Sequence, residues 1–257
     1  MTAKWAIATC ALLAGCVSQI GGDRETATHD AAEAPDAFTP AIDAAVPDAR
    51  ADAPGCGRVV FLNFGGDTVA RSAQGDARAD SAAWVGLSTG QASATMAEWR
   101  PTASDRASQI AEVVAELQAR FSTIAPTMQF VTTRPTAGAY VMIGFGGSMQ
   151  AAGVPYTGAV ATLDCGDANK NDVGWVFEST TSPTMVVNYA AGAIGYSMGA
   201  TGTTDSNDCM CGWLTSCQPS GNACTFSSAA NAQLACAGQT DPQDDVGLLA
   251  SFCTSPQ

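Results

Sequence analysis

Ten cysteines occur in 257 residues, and their placement constrains this chain more than any other feature. Cys10 and Cys16 lie near the start. The others, Cys56, Cys165, Cys209, Cys211, Cys217, Cys224, Cys236 and Cys253, are even in number and follow residue 55. In an oxidising compartment such a set reads as disulfides. Their connectivity does not follow from spacing. Pairing of Cys56 with Cys165 is one arrangement, and it would tie the start of a domain to its middle. The cluster from Cys209 to Cys253 predicts a bridge-held C-terminal lobe, residues 205–257, because that stretch offers few periodic apolar segments. Zinc is not expected at Cys209-Met210-Cys211, since structural zinc pairs cysteines on both sides of the ion and the second pair is missing.

The start of the chain supplies the compartment. Lys4 precedes an apolar run from Trp5 to Leu13, and small residues follow. A basic start, a short apolar core and small residues describe a secretory leader over residues 1–15. The run is too short to cross a bilayer as a helix. Leu13-Ala14-Gly15-Cys16 resembles the lipobox of bacterial lipoproteins. That resemblance implies cleavage before Cys16, acylation of Cys16, and a membrane partner reached through several acyl chains. Val17 replaces the Asp of the inner-membrane retention signal, so the outer membrane or cell surface is the expected location.

Residues 16–54 are of another kind. Asp-Ala recurs at Asp30, Asp36, Asp43, Asp48 and Asp52, with prolines between. So few large apolar residues cannot offset the entropy of ordering, and the prolines break any long helix. The expectation is an extended, self-repelling tether, reaching on the order of 120 Å at about 3.3 Å per residue. His29, the single histidine, lies within it.

Residues 55–257 are long enough for one well-buried domain. The chain carries a net charge of −13 and no basic run, which argues against nucleic acid as a partner. Arg58 to Gly66 predicts a strand, and residues 67–100 offer Trp84 and Trp99 as anchors without clear elements. A helix is predicted with Ser104 as its cap and Ala107, Ile110, Val114, Leu117 and Phe121 as its apolar stripe. Thr127–Thr133, Ala139–Gly147 and Val173–Glu178 read as strands, the second unbroken in hydrophobicity and therefore central. Ser182-Pro183 starts a second helix. This order is not strictly alternating, so a doubly wound parallel sheet is not expected.

Gly195-Tyr196-Ser197-Met198-Gly199 reads G-x-S-x-G, the form of a serine nucleophile elbow. An elbow needs a strand before it, and the alanine-rich run upstream suits a helix. A serine also needs a base to take its proton. No histidine follows His29, and Lys170 is the single lysine of the domain. The motif is therefore not read as a nucleophile.

The order of elements and several phrases resemble the metzincin-like zinc metalloproteases. Val59–Gly66 is similar to their first strand, Phe130–Ser148 to their second and third, and Val173–Glu178 to the strand before the active helix. The resemblance implies an α+β fold with a metzincin-like mixed sheet, two main helices and a disulfide-rich C-terminal lobe. It further implies a helix with H-E-x-x-H-x-x-G-x-x-H, and here the pattern is degenerate. The zinc-ligand positions fall on Gly192, Tyr196 and Gly202, and the glutamate base falls on Ala193. The motif glycine is kept as Gly199, and Met210 falls where the methionine turn would lie. Zinc catalysis needs about three ligands and a base, so no zinc chemistry is expected. Gly192 would leave a notch on the helix, which Tyr196 one turn on could fill. The plainer alternative is a structural helix and turn with no relation to zinc.

Asp167, Asn169, Asn171 and Glu178 occupy positions 1, 3, 5 and 12 of a calcium-loop pattern. Asp172 stands where the loop glycine belongs, so a polar turn entering a strand is the simpler reading. No other cofactor is expected. The function these features support is a surface-anchored, inactive metalloprotease-like domain that binds peptide or protein or serves as a scaffold. An active hydrolase using acids such as Glu178, Asp205 or Asp208 is the alternative from another class.

Overall fold

The computed structural model describes residues 57–156, 158–178, 182–213, 216–233 and 235–254. The leader, Cys16, the tether and Cys56 lie outside the described residues, as does the side chain of Cys253. The chain runs through β1 (Val59–Asn63), β2 (Asp67–Arg71), β3 (Ser81–Ala82), β4 (Ser93–Met96), α1 (Arg106–Phe121) and β5 (Gln129–Val131). It continues through β6 (Tyr140–Phe145), α2 (Met149–Ala152), β7 (Ala159–Val160), β8 (Val173–Val176), α3 (Pro183–Ser197) and α4 (Asp245–Thr254).

Five strands form the main sheet in the order β5-β1-β6-β8-β7. The first four are parallel, and β7 closes one edge antiparallel to β8. β6 is buried at every position and holds the centre, as its unbroken apolar run predicts. Gly144 lies beneath Trp175 of β8, whose ring stands 2.2 Å from where a Cβ at 144 would be. No side chain fits there, and Trp175 anchors itself by donating to the Gly146 carbonyl at 2.9 Å.

Alternation along the strands sends two sets of side chains to opposite faces. Val60, Leu62, Val141, Ile143 and Phe145 join α1 and α3 in one apolar cluster. Phe61, Tyr140, Met142 and Trp175 join a second cluster with Val69, Trp84 and Met96 of the preceding segment. The long helices α1 and α3 therefore cover one face, and a small three-stranded sheet, β3-β2-β4, belongs to the other together with α2. The class is α+β. Residues 67–100 hold that small sheet; Trp84 is buried in its cluster, while Trp99 packs with Phe64 and Phe145 in the cluster of α1 and α3. Arg134, after β5, ties it down through ion pairs at 2.6 Å to Asp67 and at 2.6 Å to Asp80.

The two long helices stand where the apolar spacing predicts, with corrections at the start of α1. Asp105, not Ser104, is its cap residue, and Ala107 is exposed. The buried stripe is Val113, Leu117 and Phe121, flanked by half-buried Ile110 and Val114. In α3 the cap is Ser182 and Pro183 takes the first turn, where a missing N–H costs nothing.

Disulfides join Cys165 to Cys236, Cys209 to Cys224 and Cys211 to Cys217. Pairing of Cys56 with Cys165 is thereby corrected. The turn holding Cys165 packs against the end of α3 at Gly199, and Gln239 donates to the Gly199 carbonyl at 3.0 Å from the other side. That meeting brings Cys236 beside Cys165. The C-terminal residues Met210, Trp213, Phe226 and Leu249 belong to the same apolar cluster as α1 and α3.

Candidate functional site

Helix α3 is buried on nearly all sides, with Val186 to Ser197 almost wholly enclosed. Its alanines and glycines allow the residues after it to approach the backbone closely. A Cβ at Gly192 would lie 2.2 Å from Trp213 Nε1 and 2.6 Å from the Cys209 carbonyl oxygen. A Cβ at Gly195 would lie 2.8 Å from Met210 Sδ and 3.1 Å from the Phe226 ring. The notch at Gly192 is thus filled by Trp213, not by Tyr196. Tyr196 lies against Trp213 instead, with ring centroids 5.0 Å apart. Burial pushes the Tyr196 phenol up to about 12, with nearby Tyr156 adding to it.

The positions aligned with the zinc pattern are therefore packed. Ala193 is fully buried, and Gly202 is buried with its carbonyl accepting from Gln233 N at 2.8 Å. Gly199 takes φ +92°, a conformation that favours glycine, and a Cβ there would meet the Asp164 carbonyl oxygen at 2.9 Å. Ser197 ends the helix, fully buried, so the G-x-S-x-G serine faces no solvent.

The turn after α3 is built by Asp208. Its Oδ1 accepts from Met210 N at 2.7 Å and its Oδ2 from Ser227 N at 2.9 Å. The Cys209–Cys224 disulfide closes the same loop. Asp245, at the start of α4, donates its own N–H to the Ser227 carbonyl at 2.9 Å. Both carboxyl groups are buried. Asp245 Oδ1 accepts from Gln243, while Oδ2 has no N–H or O–H donor among the described residues. The two acids influence each other's titration. Burial raises both carboxyls well above the usual range, and the charge of Asp208 raises Asp245 further. Sequence reasoning missed this pair, because nothing in the local pattern links residues so far apart in the chain.

Asp167 is buried, and its carboxylate is held by Arg58 and Lys170. Asn169 donates to the Gly75 carbonyl and to Asp172 Oδ1, each at 2.7 Å. Asn171 Oδ1 accepts from Tyr140 N at 3.3 Å. Glu178 is exposed beyond the far end of β8, and that strand alone spans about 10 Å. The calcium-loop residues therefore do not surround one point. Burial pushes Asp172 up to about 7, with Asp164 adding to it. Asp205 is exposed and accepts from Asn207 N at 3.0 Å.

Beside α3 lies a sheet edge. β7 has β8 as its one neighbour in the sheet. Gly158 accepts from Phe177 N at 2.9 Å and so faces β8. Antiparallel alternation then turns the N–H and C=O of Ala159 and Ala161 outward. The approach to this edge is aromatic: the Tyr189 ring of α3 covers Gly158, and Tyr156 is 45 % exposed. No protein-family model matches this chain, and no curated protein matches it in sequence.

Proposed function

We propose that this chain is a lipid-anchored surface protein whose domain keeps a metzincin-like frame without zinc chemistry and holds extended peptide or protein segments along β7. The observation that carries the reading is Trp213 over Gly192. The place a first zinc ligand would need is taken by an indole and a backbone carbonyl. The loss goes beyond a missing side chain.

Several features support the frame. The strands fall in the order the resemblance implies, α3 follows the last parallel strand, and Gly199 turns the chain after it. Met210 lies buried against Gly195 of that helix. Binding is assigned to β7 because outward backbone groups on an edge strand can pair with an added strand. The lipobox-like start and the Asp-Ala-Pro tether support presentation of the domain away from an outer membrane.

The test uses purified residues 55–257. We expect no stoichiometric zinc by elemental mass spectrometry and no cleavage of a mixed peptide library. Stoichiometric zinc together with cleavage would falsify the inactive reading. Bound peptides should shift the amide resonances of Ala159 to Ala161, and binding that leaves those amides unmoved removes β7 as the site.

A further inference from the structure

The geometry points to a second binding site, for a small carboxylate with an apolar tail, in the groove between the C-terminal half of α1 and the Cys224 loop. The groove has a volume of about 510 Å³ and is lined by Ala119, Arg120, Ile124, Ala223, Phe226 and Val246, among others. Ile124 and Phe226 belong to the main apolar cluster and give it a greasy floor.

Arg120 makes this groove selective. Its side chain is 7 % exposed. Nη1 donates to Asn188 Oδ1 at 2.6 Å and lies 3.1 Å from Cys224 Sγ. Asn188 is itself fixed, accepting from Cys224 N at 3.1 Å and donating to the Asn222 carbonyl at 2.7 Å. One edge of the guanidinium is therefore locked in place. Nη2 has one anionic neighbour, Glu116 at 4.0 Å, which is beyond hydrogen-bond distance. Among the described residues, Nη2 and Nε have no hydrogen-bond acceptor. That pair of donors is the fork that grips a carboxylate with two parallel bonds. Glu116 is 56 % exposed on the rim and free to swing to water. It also disfavours a doubly charged phosphate beside it. The apolar lining favours a tail over a bare anion, because burying that surface adds to the ion pair. This site is independent of β7 and of the reading of α3.

The test is calorimetry on the purified full-length chain with hexanoate, hexanamide and hexyl phosphate. Hexanoate should bind at one site, and hexanamide at least about tenfold more weakly, since it lacks the charge. Arg120→Lys should weaken hexanoate by about tenfold, since it keeps the charge and loses the fork. Ala223→Trp, at an exposed rim position, should block the groove while leaving the fold intact. Equal affinity for hexanoate and hexanamide overturns the proposal, as does wild-type affinity in Ala223→Trp. Tighter binding of hexyl phosphate than of hexanoate, or no hexanoate binding at millimolar concentration, overturns it as well.

Discussion

The indole Nε1 of Trp213 stands 2.2 Å from the point where a Cβ on Gly192 would be. Glycine at 192 is therefore fixed by packing, although it lies inside a helix, where alanine is ordinarily favoured. Gly192→Ala should destabilise the domain by about 1–3 kcal/mol through overpacking. Helix propensity alone predicts a gain of about 1 kcal/mol. The midpoint of urea unfolding separates the two, and a raised midpoint sinks the packing account.

Trp213→Ala should cost roughly 3–5 kcal/mol, because it empties the space over α3 and removes the partner of Tyr196. In the double variant with Gly192→Ala, the cost should be less than the sum of the singles. The alanine methyl then enters space the indole has left. Strict additivity in a double-mutant cycle would show that the two residues do not press on each other.

Stability should fall as pH rises from about 4 to 8. Asp172, Asp208 and Asp245 have folded-state pKa values raised by burial. The folded chain then binds protons that the unfolded chain releases near pH 4. Their stabilising effect is complete below that pH and is lost as pH climbs through the folded values, which for Asp172 is about 7. Each such proton contributes a slope of at most about 1.4 kcal/mol per pH unit. Asp205 and Asp244 add negative charge near the pair and act in the same direction. Asp245→Asn should flatten the slope, since the amide has no proton to lose over this range and places no charge beside Asp208. Thermal melts at pH 5 and pH 8 check this, and an unchanged slope in the variant rules out Asp245 as a source of the pH dependence.

Replacing both Cys165 and Cys236 by alanine should cost about 2–5 kcal/mol. Replacing Cys211 and Cys217 should cost less, because the sequence separations are 71 and 6 residues and longer loops lose more entropy on closure. Melting both variants side by side measures the difference, and equal losses contradict loop closure as the cause.

What could be read from the sequence was what local spacing encodes. The apolar runs of β1, β6 and β8 needed no partner to be recognised, and Pro183 marked the start of α3. The small sheet was not legible because β2 buries Val69 alone among five residues and β3 is two residues long. That Gly192, Ala193 and Gly202 offer no metal-binding side chain was legible. That Trp213 occupies the place beside Gly192 was not, since it depends on a loop folded back by Asp208 and by the Cys209–Cys224 bridge. Nothing in the local pattern singled out Arg120, since the hydrogen bond from its guanidinium to Asn188 joins α1 to α3.

The main sheet ends in three-residue β5 on one side and two-residue β7 on the other. High local concentration is the condition that favours polymerisation through strand edges. Such growth needs a long, flat row of unpaired backbone groups. These margins are too short to template it, and Pro135 lies just past β5, where it donates no N–H. The same brevity gives neither margin of the sheet a template for fibril growth.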